Sequence, residues 1–199
     1  PARARFHEAR ADYESALAAL HPLTELDPWT AQRVSFWPWQ DSYVNALVMT
    51  DQLDRAEEFL EAFEAVPRER EIPSDQARLA RARGRLLAAQ GDPDAARERF
   101  EDALGRLRGL NRPYLRARIS FAFGQSMRRA GKRRLASTVL RTARDLYDSL
   151  GAATYVERCD RELKATGLDV GNLPDPSDPV LAAVGRTAVQ LTAQEQAVA

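Results

Sequence analysis

The sequence predicts an all-α chain, an α-solenoid in which antiparallel helix pairs stack as a superhelix with a period of about 40 residues. Three observations predict it. First, Gly84, Leu87, Gly91, Ala96, Phe100, Ala103 and Leu107 recur forty positions on as Gly124, Met127, Gly131, Ala136, Leu140, Ala143 and Tyr147. Second, the period runs backwards: Leu47, Ala56, Leu60 and Phe63 stand forty positions earlier, with Asp51 where the turn glycine would be. Third, each unit carries an Ala-x3-Phe/Leu-x2-small or similar stripe, the spacing of a helix with one apolar face.

The elements follow in order from these marks. Three units span residues 37 to 150, each with a first helix ending at the turn and a second helix bearing the stripe. At least six helices and no sheet are expected between about residues 40 and 166. In Gly91-Asp92-Pro93, glycine suits a left-handed C-cap, Asp92 can cap the next helix and Pro93 fits its first turn. Ala96 and Ala136 are small because paired helices approach most closely there. Near the beginning, Ala9, Tyr13, Ala16 and Leu17 read as the second-helix stripe of a unit whose first helix is absent, so the chain is expected to start inside a larger protein. The repeat domain is assigned to residues 1–166 and a linker to 167–190, where Gly171, Asn172, Pro174, Pro176 and Pro179 lie among acidic residues. In residues 191–199, Thr192 and Glu195 form a capping box that opens a new helix, cut off after about two turns.

The 199 residues suit one domain with a tail, and 29 Lys and Arg balance 29 Asp and Glu. The balance is uneven along the chain. Residues 77–150 hold 18 basic and 7 acidic side chains, residues 1–76 hold 7 basic and 15 acidic ones. Such a dipole can steer an acidic partner to one end or pair two chains head to tail. No apolar run is long enough to span a bilayer and no signal segment opens the chain, so a cytoplasmic protein without membrane contact is expected. Cys159 is alone, in line with Tyr155 and Leu163 at helical spacing, which favours a buried structural thiol over a nucleophile.

Catalysis has little to stand on. His7 and His21 have neither a nucleophile nor a metal-ligand spacing beside them. Glu57, Glu61 and Glu64 share a helix face, which reads as an exposed acidic stripe. Gly124 to Lys132 departs from a phosphate loop: six residues separate its glycines, and Arg133 stands where Ser or Thr is needed. The chain is read as non-catalytic, with no metal and no catalytic residue.

Several segments together resemble a known family. Leu191-Thr192-x-x-Glu195-x-x-Val198-Ala199, after an acidic, proline-containing linker, is similar to the opening of a LuxR-type helix-turn-helix domain. The run from Trp37 to Val48, followed by Asp54-Arg55-Ala56-Glu57, resembles the repeat region just upstream of it in the large ATP-binding LuxR-type regulators, as do Gly124 to Arg133 and Ala143 to Ala152. The resemblance implies a tetratricopeptide-like superhelix that senses an inducer or a partner protein and helps control self-association. It implies ATP only for a module before this chain and DNA contact only for the domain after it, and no cofactor in the chain itself. The period departs from the roughly 34 residues of tetratricopeptide repeats, so longer helices and a different pitch are expected. Ala80 and Ser120 also stand where a large aromatic is usual early in the first helix. The competing reading is a free-standing helical-repeat scaffold or adaptor that binds an acidic protein partner.

In a tetratricopeptide-like stack the first helices line the concave side. Counting from Ala77 and Ala117 places Arg78, Arg81, Arg85, Ala88 and Ala89 in the groove, then Arg118, Phe121, Gln125, Arg128 and Arg129. The preceding unit gives Pro38, Asp41, Asn45, Val48 and Met49. Converging guanidinium forks suit carboxylate or phosphate, so the basic groove is the expected seat of an anionic inducer or an acidic partner, the acidic first half of another copy included. The secondary candidate is aromatic. Trp29, Phe36, Trp37 and Trp39 cluster, with Tyr43 one turn on, and Trp37, Trp39 and Tyr43 would grip a flat or apolar ligand.

Overall fold

The computed structural model describes residues 2–26, 39–65 and 72–167. Among the described residues it contains nine helices and no strand. They are α1 (Ala2–Ala9), α2 (Tyr13–Thr24), α3 (Gln40–Met49), α4 (Leu53–Glu64), α5 (Pro73–Ala89), α6 (Pro93–Gly105), α7 (Pro113–Arg129), α8 (Arg133–Ser149) and α9 (Ala153–Thr166). The fold is all-α, and the helix positions repeat in register. Pro73, Pro113 and Ala153 open α5, α7 and α9 at forty-residue intervals.

The turns repeat as closely as the helices. Ala11, Asp51, Gly91 and Gly131 all have left-handed backbones, with φ of 61°, 59°, 91° and 75°. In each turn the next amide reaches back to the preceding helix: Asp12 N to His7 O, Gln52 N to Leu47 O, Asp92 N to Leu87 O and Lys132 N to Met127 O, all 2.9 Å. This is the six-to-one bond of a Schellman motif, which satisfies a carbonyl that the helix end leaves free. Asp12 and Asp92 then cap the following helices, accepting from Ser15 N and Ala95 N.

The turn at Ala11 corrects the reading of the first unit. Its first helix is present as α1, and its second-helix stripe is Ala16 and Leu20, not Ala9, Tyr13, Ala16 and Leu17. The mark was hidden because alanine holds a left-handed turn at a cost of roughly 1 to 2 kcal/mol, so no glycine signals it. In the true register Ala16, Ala56, Ala96 and Ala136 are all buried, and Leu20, Leu60, Phe100 and Leu140 follow them into the core.

The repeated helical glycines have a packing reason. A Cβ on Gly124 would lie 2.5 Å from Leu140 Cγ, and one on Gly84 would lie 3.2 Å from Ala96 O and the Phe100 ring. The two helices of a pair therefore touch at backbone distance, which offsets the roughly 0.5 to 1 kcal/mol that glycine costs inside a helix. Each first helix packs on its own second helix, and α3, α5, α7 and α9 also pack on one another in succession. The core is correspondingly a chain of clusters running from Leu20, Val44 and Leu47 through Phe100 and Phe123 to Leu140 and Tyr147. Helix α3 is buried on every side from Gln40 to Val48, since α1, α2, α4 and α5 all pack on it.

Of the linker assigned to residues 167–190, residues 168–190 lie outside the described residues, as do the helix start at 191–199 and Trp29, Phe36, Trp37 and Pro38. Gly167 is described, and its left-handed φ of 66° ends α9.

Candidate functional site

The first helices bring most of the expected groove residues together, but not at an open surface. Arg81, Arg85, Arg118 and Gln125 are each at most 4 % exposed. Arg81 donates to Asp41 Oδ2 at 2.8 Å and to Asp41 O at 3.2 Å. Arg118 donates to Glu8 Oε1 at 2.6 Å and to Ser42 Oγ at 3.2 Å, and lies 3.5 Å from Asp41. Ser42 and Asn45 donate to the two oxygens of Glu8, each at 3.1 Å. Arg85 donates to Gln125 Oε1 at 2.6 Å and Gln125 to Glu162 Oε1 at 2.7 Å. Two of these contacts, Asp41 with Arg81 and Arg85 with Gln125, join residues one period apart, so neighbouring units are tied through equivalent positions.

The expected acidic partner is therefore supplied by the first half of the same chain. Unit-by-unit counting finds the arginines but not what they face: side chains of α7 and α9 meet α1. Arg158 of α9 completes this closure. Its guanidinium donates to Glu8 O at 2.7 Å, Ala9 O at 3.5 Å and Tyr13 Oη at 2.6 Å. A cation there satisfies carbonyls at the C-terminal end of α1 and meets the negative end of its dipole. The same guanidinium lies over the Phe121 ring at 5.0 Å and the Tyr155 ring at 5.6 Å.

The outer arginines are held as well. Arg78 pairs with Asp75 at 3.0 Å, Arg128 pairs with Glu162, and exposed Arg129 lies 3.7 Å from the Met49 sulfur. Electrostatics follow from the burial. Burial raises the Asp41 carboxyl, but Arg118, Arg81 and Arg78 outweigh it and hold it below the usual carboxylate range. Burial lowers Arg118, but Glu8 and Asp41 more than restore it. Arg85 has no carboxylate partner among the described residues, and burial pushes it down to about 9.

The aromatic candidate is in a different condition. Trp39 and Tyr43 are buried, with rings 6.0 Å apart, and both meet Phe59, at 5.7 and 4.8 Å. They border a cleft of about 320 Å³ between α2, α3 and α4, walled also by Leu23, Leu26 and Phe63, with Arg55 and Glu58 as its charged groups. Tyr43 Oη accepts from Arg55 at 3.3 Å, whereas Trp39 Nε1 is buried with no hydrogen-bond partner among the described residues. Phe59 and Phe63 stand one turn apart on α4 and were legible as an i, i+4 pair, but their meeting with Trp39 depends on how α3 and α4 pack.

The features set aside in the sequence find structural places. Glu57 and Glu64 both pair with Arg83, tying α4 to α5. Gly124 lies inside α7, so its surroundings form no phosphate loop. Cys159 is fully buried, and burial pushes its thiol up to about 12. Among the described residues no three His, Cys, Asp or Glu side chains come together as a metal site, and no helix is long and apolar enough to cross a membrane. No protein-family model, no curated protein and no solved structure matches this chain.

The sequence reading missed Glu8, Tyr13, Ser42 and Arg158. Arg158 had a signal: it stands forty positions beyond Arg118 and eighty beyond Arg78, so one more step of the period finds it. Glu8 had none, because its role depends on contacts with Ser42, Asn45 and Arg118, 34 to 110 positions away.

Proposed function

We propose that this chain is a tetratricopeptide-like α-solenoid, the regulatory repeat region of a LuxR-type bacterial transcriptional regulator, and that it recognises ligand or protein without catalysis of its own. In this reading it is cytoplasmic, ATP belongs to a preceding module and DNA contact to a following helix-turn-helix domain. The observation that carries the solenoid is the forty-residue register of the left-handed turns and of the small residues at Ala16, Ala56, Ala96 and Ala136. The regulator assignment rests on the resemblance of the repeat segments and of the Leu191 to Ala199 segment.

Recognition is assigned to the aromatic cleft at Trp39, Tyr43 and Phe59, while the buried arginines are assigned to the scaffold. A cleft of about 320 Å³ is within the size of small-molecule sites, and its apolar walls with a few polar groups suit an inducer. The free-standing adaptor for an acidic partner is the weaker reading, because Glu8 and Asp41 already occupy Arg118 and Arg81. Native mass spectrometry of the purified chain tests the proposal. A retained small molecule, displaced or lost in a Phe59→Ser variant, or a defined oligomer is expected. A bare monomer that neither retains a ligand nor self-associates would contradict it.

A further inference from the structure

The axis of the superhelix holds more positive charge than the chain neutralises. Arg81, Arg85, Arg118 and Arg158 are all at most 6 % exposed, and the carboxylates buried with them are Glu8 and Asp41. Both carboxylates are already engaged, Glu8 by Arg118, Ser42 and Asn45, and Asp41 by Arg81. Arg85 meets only the amide oxygen of Gln125 and the sulfur of Met49, 3.3 Å away. Two guanidinium N–H groups, Arg81 Nε and Arg85 Nε, are buried with no acceptor among the described residues. The four arginines, with Tyr13 and Asn45, border a small cavity of about 10 Å³ that Glu8 also touches.

We propose that this cavity binds one monatomic halide, chloride in the cell, held chiefly by Arg85 and Arg81. A buried cation without a counter-charge is costly, and the group that relieves it must be anionic, supply acceptor capacity to unpartnered N–H groups, and fit the space. The cavity leaves about 10 Å³ for the centre of a water-sized sphere to move in, so a single atom somewhat larger than water fits, whereas phosphate, carboxylates and sugar acids are too large. Water is the competing occupant. Among the described residues Asn45 Oδ1 at the cavity is also unpartnered, and a water molecule would serve that acceptor. Water, however, leaves the surplus of two guanidinium charges in place, and a halide removes half of it.

The site stands apart from the aromatic cleft, so it succeeds or fails independently of the proposed function. The experiment follows the unfolding midpoint of the whole chain as sodium gluconate is replaced by sodium chloride at constant ionic strength. The midpoint is expected to rise and then saturate, as a single-site ligand requires. In Arg85→Gln the saturating rise is expected to disappear. An equal response in Arg85→Gln and the parent would overturn the site, because it would be an effect of the salt on the whole surface. Crystals grown in sodium bromide give a second readout that does not depend on the variant folding. One anomalous peak beside Arg81 and Arg85 supports the proposal. An ordered water in that cavity, or bromide on the exterior as an adventitious ion only, would overturn it.

Discussion

The buried arginine cluster is built mainly from first-helix residues and the aromatic cleft mainly from second-helix residues of α2 and α4, and the fold treats them oppositely. At the axis, charged side chains from α1, α3, α5, α7 and α9 are brought inside and matched against each other, so that Glu8 meets Arg118 across 110 positions of chain. Between α2, α3 and α4, apolar rings line a cleft, and among the described residues the Trp39 indole N–H has nothing to bond. A surface rich in arginine is thus consumed by folding, whereas a cluster of aromatics, the usual material of a core, is left with room beside it. What separates them is length of reach. Long ionic side chains from five helices reach one another, whereas the rigid rings between α2, α3 and α4 leave a cleft beside them.

The contrast is broken most forcefully at the axis. Arg118→Met leaves Glu8 and Asp41 buried without their shared cation and is expected to cost about 3 to 5 kcal/mol, read as a lower urea midpoint with unchanged slope. A loss under about 1 kcal/mol, the range of exposed pairs, would mean that the axis is wet and that the arginines form a solvated groove after all.

A smaller effect is expected where the helix pairs cross. Ala96→Leu or Ala136→Leu should destabilise by roughly 1 to 3 kcal/mol through overpacking, and the two sites should respond alike because they occupy the same place in successive units. Thermal unfolding of the two variants checks this, and unequal losses would show that the register is not structurally uniform.

The alkaline limb of stability gives a third, still smaller handle. The Cys159 thiol titrates near 9 when unfolded and about 12 when folded. Between those values the unfolded chain has lost a proton that the folded chain keeps. Stability from this group is full below pH 9 and falls as pH rises toward 12, by at most about 1.4 kcal/mol per pH unit. Cys159→Ala should flatten that part of the profile. An unchanged slope would place the thiol in contact with solvent.

In the cleft the expected change is in binding more than in stability. Trp39→Phe removes the unpartnered Nε1 donor and keeps an apolar ring, so the chain should stay folded while affinity for any retained ligand falls. Titration calorimetry with that ligand checks it, and equal affinity would show that the indole N–H is not used.

Much of this architecture was legible in the sequence, because a repeat writes its contacts at fixed intervals. Gly84 and Gly124, Ala96 and Ala136, and the capped turn at Gly91-Asp92-Pro93 each have a local reason that survives in the fold. The first unit was misregistered because Ala11 performs a glycine's turn. The groove arginines lie on helices α5 and α7, but their burial was not legible. Burial depends on how α1, α3, α5, α7 and α9 pack across long stretches of chain, and no residue type reports that packing. Glu8 illustrates the difference: in sequence it is one of many acidic residues on a short helix, and in the fold it accepts hydrogen bonds from both α3 and α7.

The central claim is that the acidic first unit closes onto the basic fourth unit within one chain. A double-mutant cycle between Glu8→Gln and Arg118→Met, measured by equilibrium unfolding at a concentration where the chain is monomeric, tests it most directly. The account predicts a coupling energy of at least about 1 kcal/mol, the scale of interacting buried neighbours. Strict additivity of the two losses would contradict it, since residues 110 positions apart that do not touch have no reason to couple.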